Sequence, residues 1–117
     1  MNLRRVSSAA LLASGVAGIL IPQKVAASLE LAPLTARGTA ETRAGLGGTY
    51  AALGLWSLLS RSPIAHRAVG VTWLGAAAVR LASLRLDEPQ TDWTYWAYLA
   101  TELGLGSSAL LPAGRSE

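Results

Sequence analysis

A chain of 117 residues that is 51% hydrophobic and only 15% charged falls outside the average soluble domain, in which about a quarter of residues are charged. The absence of cysteine excludes disulfides, thiolate nucleophiles and cysteine-ligated metal or iron–sulfur centres. One histidine, His66, cannot supply a two-histidine haem or metal site. A net charge of +3, carried by basic residues that flank apolar runs, reads as membrane orientation and not as nucleic-acid binding.

The first apolar run, Val6 to Ile21, follows Arg4 and Arg5 and is closed by Pro22. A basic start, an apolar stretch and the small patch Val25-Ala26-Ala27 also fit a cleavable signal peptide. The length of the run, and the resemblance described below, favour a retained helix. The mixed segment Gln23 to Arg43 follows. Within it, Val25 to Leu31 is expected to form a short interfacial helix ended by Pro33.

The second run, Ala44 to Ser60, carries no charge. Thr39 is the expected N-cap, placing Glu41 and Arg43 in the first turn. The third run, Ile64 to Leu84, is interrupted by Arg80, and the fourth, Trp93 to Leu111, by Glu102. Each is about long enough to cross roughly 30 Å of hydrocarbon. The expected architecture is therefore all-α: a single integral-membrane four-helix bundle over residues 1–117, with spans at about 5–22, 40–61, 64–86 and 92–112. Its partners are the lipid bilayer and either a membrane-protein subunit or further copies of itself.

Arg4, Arg5, Arg61, Arg67 and Arg115 fall on one side with only Glu117. The other side holds Lys24, Arg37, Arg43 and Arg85 beside Glu30, Glu41, Asp87, Glu88 and Asp92. The positive-inside rule places both termini in the cytoplasm. Arg61, His66 and Arg67 then meet anionic lipid at the inner surface, and Trp93, Tyr95, Trp96 and Tyr98 form an outer aromatic belt.

Helical spacing puts Glu41, Gly45, Gly48 and Ala52 on one face of the second helix, an acid leading into a groove of small residues. Arg43 shares another face with Gly47, Tyr50 and Gly54. Ser14-x-x-x-Gly18 and Ala44-x-x-x-Gly48 repeat the small-residue spacing in the first and second helices. On the third helix Trp73, Ala76, Ala77, Arg80 and Leu84 align, and on the fourth Tyr95, Tyr98, Glu102, Gly106 and Ala109. Arg80 lies about 9 Å and Glu102 about 14 Å in from their shared loop, a difference an arginine side chain can close. Glu41, Arg43, Arg80, Glu102, Tyr95 and Tyr98 thus form the candidate polar cluster, with Gly45 and Gly48 as packing positions. A charge at such depth is paired, protonated or open to water. Glu102 is either half of a register-fixing pair or a titrating, ligand-anchoring carboxylate.

The stretch Glu41-Thr42-Arg43-Ala44-Gly45-Leu46-Gly47-Gly48 resembles the E-x-R-A-x-x-G-G signature of an uncharacterised bacterial membrane family, domain of unknown function 4345. The resemblance runs from about Gly15 to Leu111. It implies about four helices in a bacterial inner membrane, an arginine late in the third and a glutamate in the fourth, positions that Arg80 and Glu102 match. Leu46 stands where relatives often carry an aromatic. The family brings no activity. Small multidrug exporters are also four-helix proteins of similar length, but they carry their essential glutamate in the first helix, which here has no charge. An accessory, scaffold or self-associating protein is the favoured function. A transporter or binder of a lipophilic or cationic molecule, with Glu102 titrating, is the alternative. There is no nucleophile–base pair or metal-ligand cluster to suggest an enzyme, and no cofactor is expected.

Overall fold

The computed structural model describes residues 3–60 and 62–111, and among them every regular element is helical. In chain order these are α1 (Leu3–Leu20), α2 (Pro22–Ser28), α3 (Ala36–Thr42), a π-helical stretch (Arg43–Gly48), α4 (Thr49–Leu59), α5 (Pro63–Leu86) and α6 (Trp93–Ala109). Arg61, Arg115 and Glu117, and the end of the fourth expected span, lie outside the described residues.

Local chemistry fixes the boundaries. Pro22 cannot continue α1, but its fixed φ suits the first turn of α2, so the two helices meet at Ile21. α2 stops earlier than Pro33 would require. Glu30 adopts φ 57°, the Glu30 N–H reaches the Ala27 carbonyl, and the Leu31 N–H reaches that of Ala26 at 2.8 Å. That is a Schellman motif, with glutamate in the left-handed position usually taken by glycine. α3 starts a turn before the expected Thr39 because the Thr35 hydroxyl accepts from the Gly38 N–H at 3.0 Å. Thr42, Arg43, Gly48 and Thr49 all keep right-handed helical dihedrals. The helical path is therefore continuous from Ala36 to Leu59, with the π stretch as one wide turn inside it. Ser62 caps α5, with Pro63 in its first turn. Asp92 caps α6 through the N–H groups of Thr94 and Tyr95 at 3.1 and 3.2 Å.

The chain forms two compact units, one from Met1–Ser7 with Ser62–Glu117 and the other from Ser8–Arg61. In the first, α5 and α6 pack by setting large residues against small ones. A Cβ on Gly70 would meet the Leu110 side chain at 2.8 Å, and one on Gly106 would meet Leu74 at 2.7 Å. The Ser7 hydroxyl donates to the Leu105 carbonyl at 2.8 Å, and the Trp73 indole to the Ser7 carbonyl at 3.4 Å.

In the second unit α1 lies against the π stretch and α4 almost backbone to backbone. A Cβ on Gly47 would stand 2.7 Å from the Ile19 nitrogen, and one on Gly54 would stand 2.5 Å from that of Leu12. Gly15 faces Ala51 and Gly18 faces Leu46 in the same way. The fully buried hydroxyls of Ser8 and Ser57 bond each other at 2.6 Å. The expected packing positions need correcting here. A side chain at Gly45 or Gly48 would meet nothing within 4 Å, because the contact face is that of Arg43, Gly47 and Gly54. Both faces carry two glycines, and the one that approaches α1 meets Gly15 and Gly18 there.

The buried residues include apolar side chains such as Leu11, Val69 and Leu99, but polar ones as well. Ser7, Ser8, Ser57 and Glu102 are buried, while Leu20, Leu59, Ile64, Val71, Val79, Leu86 and Trp93 are exposed. The all-helical class expected from sequence is found. Two helices, α1 and α5, are each long and apolar enough to cross a membrane.

Candidate functional site

The polar site of the α5–α6 unit is assembled from two helix faces. On α6 the spacings of three and four between Tyr95, Tyr98 and Glu102 put all three on one side. Glu102, Gly106 and Ala109 are buried there, and the two tyrosines are half-buried. Ala77 of α5 is buried one turn before Arg80, which directs the arginine towards α6.

Arg80 and Glu102 meet fork to fork. Arg80 Nε donates to Glu102 Oε1 and Nη2 to Oε2, each at 2.9 Å. Glu102 is 4% exposed, and 20% of the Arg80 side chain remains accessible. The Tyr95 hydroxyl donates to the Arg80 carbonyl at 2.7 Å. The guanidinium carbon stands 5.2 Å from the Tyr95 ring centre and 5.4 Å from that of Tyr98, within cation–π range. Trp96 packs edge-on against Tyr95 at 5.6 Å and donates to the Thr91 hydroxyl at 3.3 Å. Two charge-assisted bonds and two aromatic faces thus offset the cost of taking both charges out of water.

The structure brings together four of the six residues proposed for the polar cluster: Arg80, Glu102, Tyr95 and Tyr98. Glu41 and Arg43 belong to the other unit, where both are exposed. There the Arg43 guanidinium donates from Nη1 to the Ile19 carbonyl. This satisfies a carbonyl at the end of α1 that has no partner within that helix. The signal for this role was available in the sequence, since Arg43 shares its face with Gly47 and Gly54. Ser7, Ser8 and Ser57 were not anticipated. Their only signal is a hydroxyl inside an apolar run, where it needs a partner.

The chemistry open to this arrangement is limited. A bidentate guanidinium–carboxylate pair holds two helices in fixed register, and it offers no activated nucleophile. Among the described residues no group of three histidine, cysteine or acidic side chains could hold a metal. Comparison with curated proteins and with solved structures finds no match. A family described as a domain of unknown function (DUF4345) matches residues 3–112, and the chain belongs to that family.

Proposed function

We propose that this chain is a small multi-pass protein of a bacterial inner membrane, a non-catalytic accessory or scaffold that acts by holding its helices and a membrane partner in place. The observation that carries this reading is the saturated Arg80–Glu102 pair, in which both carboxylate oxygens are engaged at 2.9 Å. A pair so engaged serves helix register. In this reading the Ala36 to Leu59 path and α6 cross the bilayer along with α1 and α5, as a single four-helix domain. Their exposed leucines face lipid, and their glycines and serines serve helix contacts.

The transporter reading has less support. A titrating carboxylate must exchange its proton or ligand with a cavity, and Glu102 is nearly buried and bonded at both oxygens.

The test is extraction of the tagged protein from its native membranes in mild detergent, followed by mass spectrometry. A stoichiometric membrane-protein partner, or a defined self-assembly, is the expected result. A lone monomer whose Glu102→Gln variant loses proton-coupled uptake of a lipophilic cation would overturn the proposal and favour transport.

A further inference from the structure

The Arg80–Glu102 pair leaves one nitrogen over. Arg80 gives Nε and Nη2 to the carboxylate. Among the described residues no acceptor is bonded to its Nη1, and that atom is not sealed from the surface. A guanidinium N–H that hydrocarbon cannot satisfy needs an acceptor from outside the protein.

The surroundings of Nη1 are aromatic and apolar. The Tyr95 ring is held in place at its hydroxyl by the Arg80 carbonyl and along its edge by Trp96. The Tyr98 ring stands at a similar distance from the guanidinium. Val79 and Leu81, on either side of Arg80 in sequence, are exposed, and so is Leu103 beside Glu102. Charge narrows the choice of acceptor. Glu102 already cancels the guanidinium, so a further anion meets no net positive site, and a cation would face N–H donors. A neutral acceptor is what remains. Depth narrows it again, because the pair lies about 9–14 Å in from the loop that joins α5 and α6. An acceptor that reaches this level is carried by a molecule that itself dissolves in the bilayer.

We infer that Arg80 Nη1 is the donor of a binding site for the neutral carbonyl oxygen of a membrane-dissolved molecule, a quinone or a glycerol-ester lipid. Tyr95 and Tyr98 supply ring surface beside that carbonyl, and Glu102 keeps the site neutral. This site rests on the membrane reading above and adds a ligand to a pair which that reading treats as structural.

The test is native mass spectrometry of the full chain in neutral detergent with two matched pairs of ligands. One pair is a long-chain benzoquinone and its dimethylated hydroquinone, which has no carbonyl. The other is a diester phosphatidylcholine and its diether counterpart. A carbonyl-bearing member is expected to be retained about fivefold better than its counterpart. A preference within the first pair names a quinone as the ligand, and one within the second pair alone names the lipid. Arg80→Leu combined with Glu102→Leu removes the donor and its counter-charge together, and it abolishes the preference. Arg85→Gln, at the end of the same helix, leaves it unchanged. Equal retention within both pairs overturns the site and leaves Nη1 to water. The site is also overturned if the double variant, shown to be folded by its unfolding midpoint, keeps the preference. Carbonate washing of membranes separates the two proposals. Protein that washes off sinks the membrane reading, whereas integral protein with no carbonyl preference sinks only this site.

Discussion

Removing half of a buried ion pair costs more than the pair itself contributes, because the remaining charge keeps its desolvation penalty without its partner. Glu102→Gln leaves the Arg80 guanidinium facing a neutral amide. It is expected to lower unfolding stability in mixed detergent micelles by about 3–5 kcal/mol, and the double change Arg80→Leu with Glu102→Leu should recover most of that. If Glu102→Gln is neutral, the pair does not hold the helices together. At Asp92, the cap of α6, the effect depends on pH. The Thr94 hydroxyl, and then the Tyr95 N–H, hold the Asp92 carboxyl below the usual aspartate range. Its folded form therefore binds protons less readily than the unfolded chain. Its contribution to stability is complete above the ordinary aspartate value of about 3.9 and is lost as pH falls through the lower folded value. Asp92→Asn, which keeps an acceptor for the cap, should flatten that acid-side loss in an unfolding series against pH. Most of these side chains were legible before the fold was known. Tyr95, Tyr98, Glu102 and Arg80 fall on helix faces that periodicity alone defines, whereas Asp92 reads from sequence as a loop acid and its capping role comes with the fold.

At the scale of elements, two glycine faces of one helix make opposite predictions. Gly47→Val drives a branched side chain into the backbone of Ile19 and should cost about 1–3 kcal/mol or separate α1 from the π stretch. Gly45→Ala meets no neighbour and should stabilise by up to about 1 kcal/mol through helix propensity. Comparing the two unfolding midpoints checks the assignment, and the opposite order would restore the face headed by Glu41. The sequence could not make this choice. Gly45 with Gly48 and Gly47 with Gly54 are equally good small-residue stripes, and only the packing against α1 distinguishes them. The helix ends show the same limit. Thr35 prevails over the expected Thr39 through one hydrogen bond to Gly38. A left-handed glutamate, Glu30, ends α2 where Pro33 was the more visible candidate.

For the whole molecule the number of crossings is the quantity to measure. The chain has no cysteine, so single replacements at Ser28, Ser62 and Gln90 can each be labelled by a maleimide that does not cross membranes. Four crossings put positions 28 and 90 on one face and 62 on the other. Crossings by α1 and α5 alone would put 28 and 62 together and 90 opposite. We expect the first pattern. The all-helical class was readable because apolar runs of this length have few other folds available to them. The π stretch was not readable, because a wide turn leaves no mark on the pattern of residue types.

The wide turn bears on how chain length varies within the family. A π turn closes from residue i to i+5 where an α turn closes from i to i+4, so it holds about one residue more. Gly45 and Gly48 lie within it and meet no neighbour. Deleting either one lets the stretch relax into an ordinary turn while Gly54 and Ser57 still point towards α1. The signature segment is thus the place in this helix where the loss of a single residue is best absorbed, and relatives one residue shorter should carry their gap there.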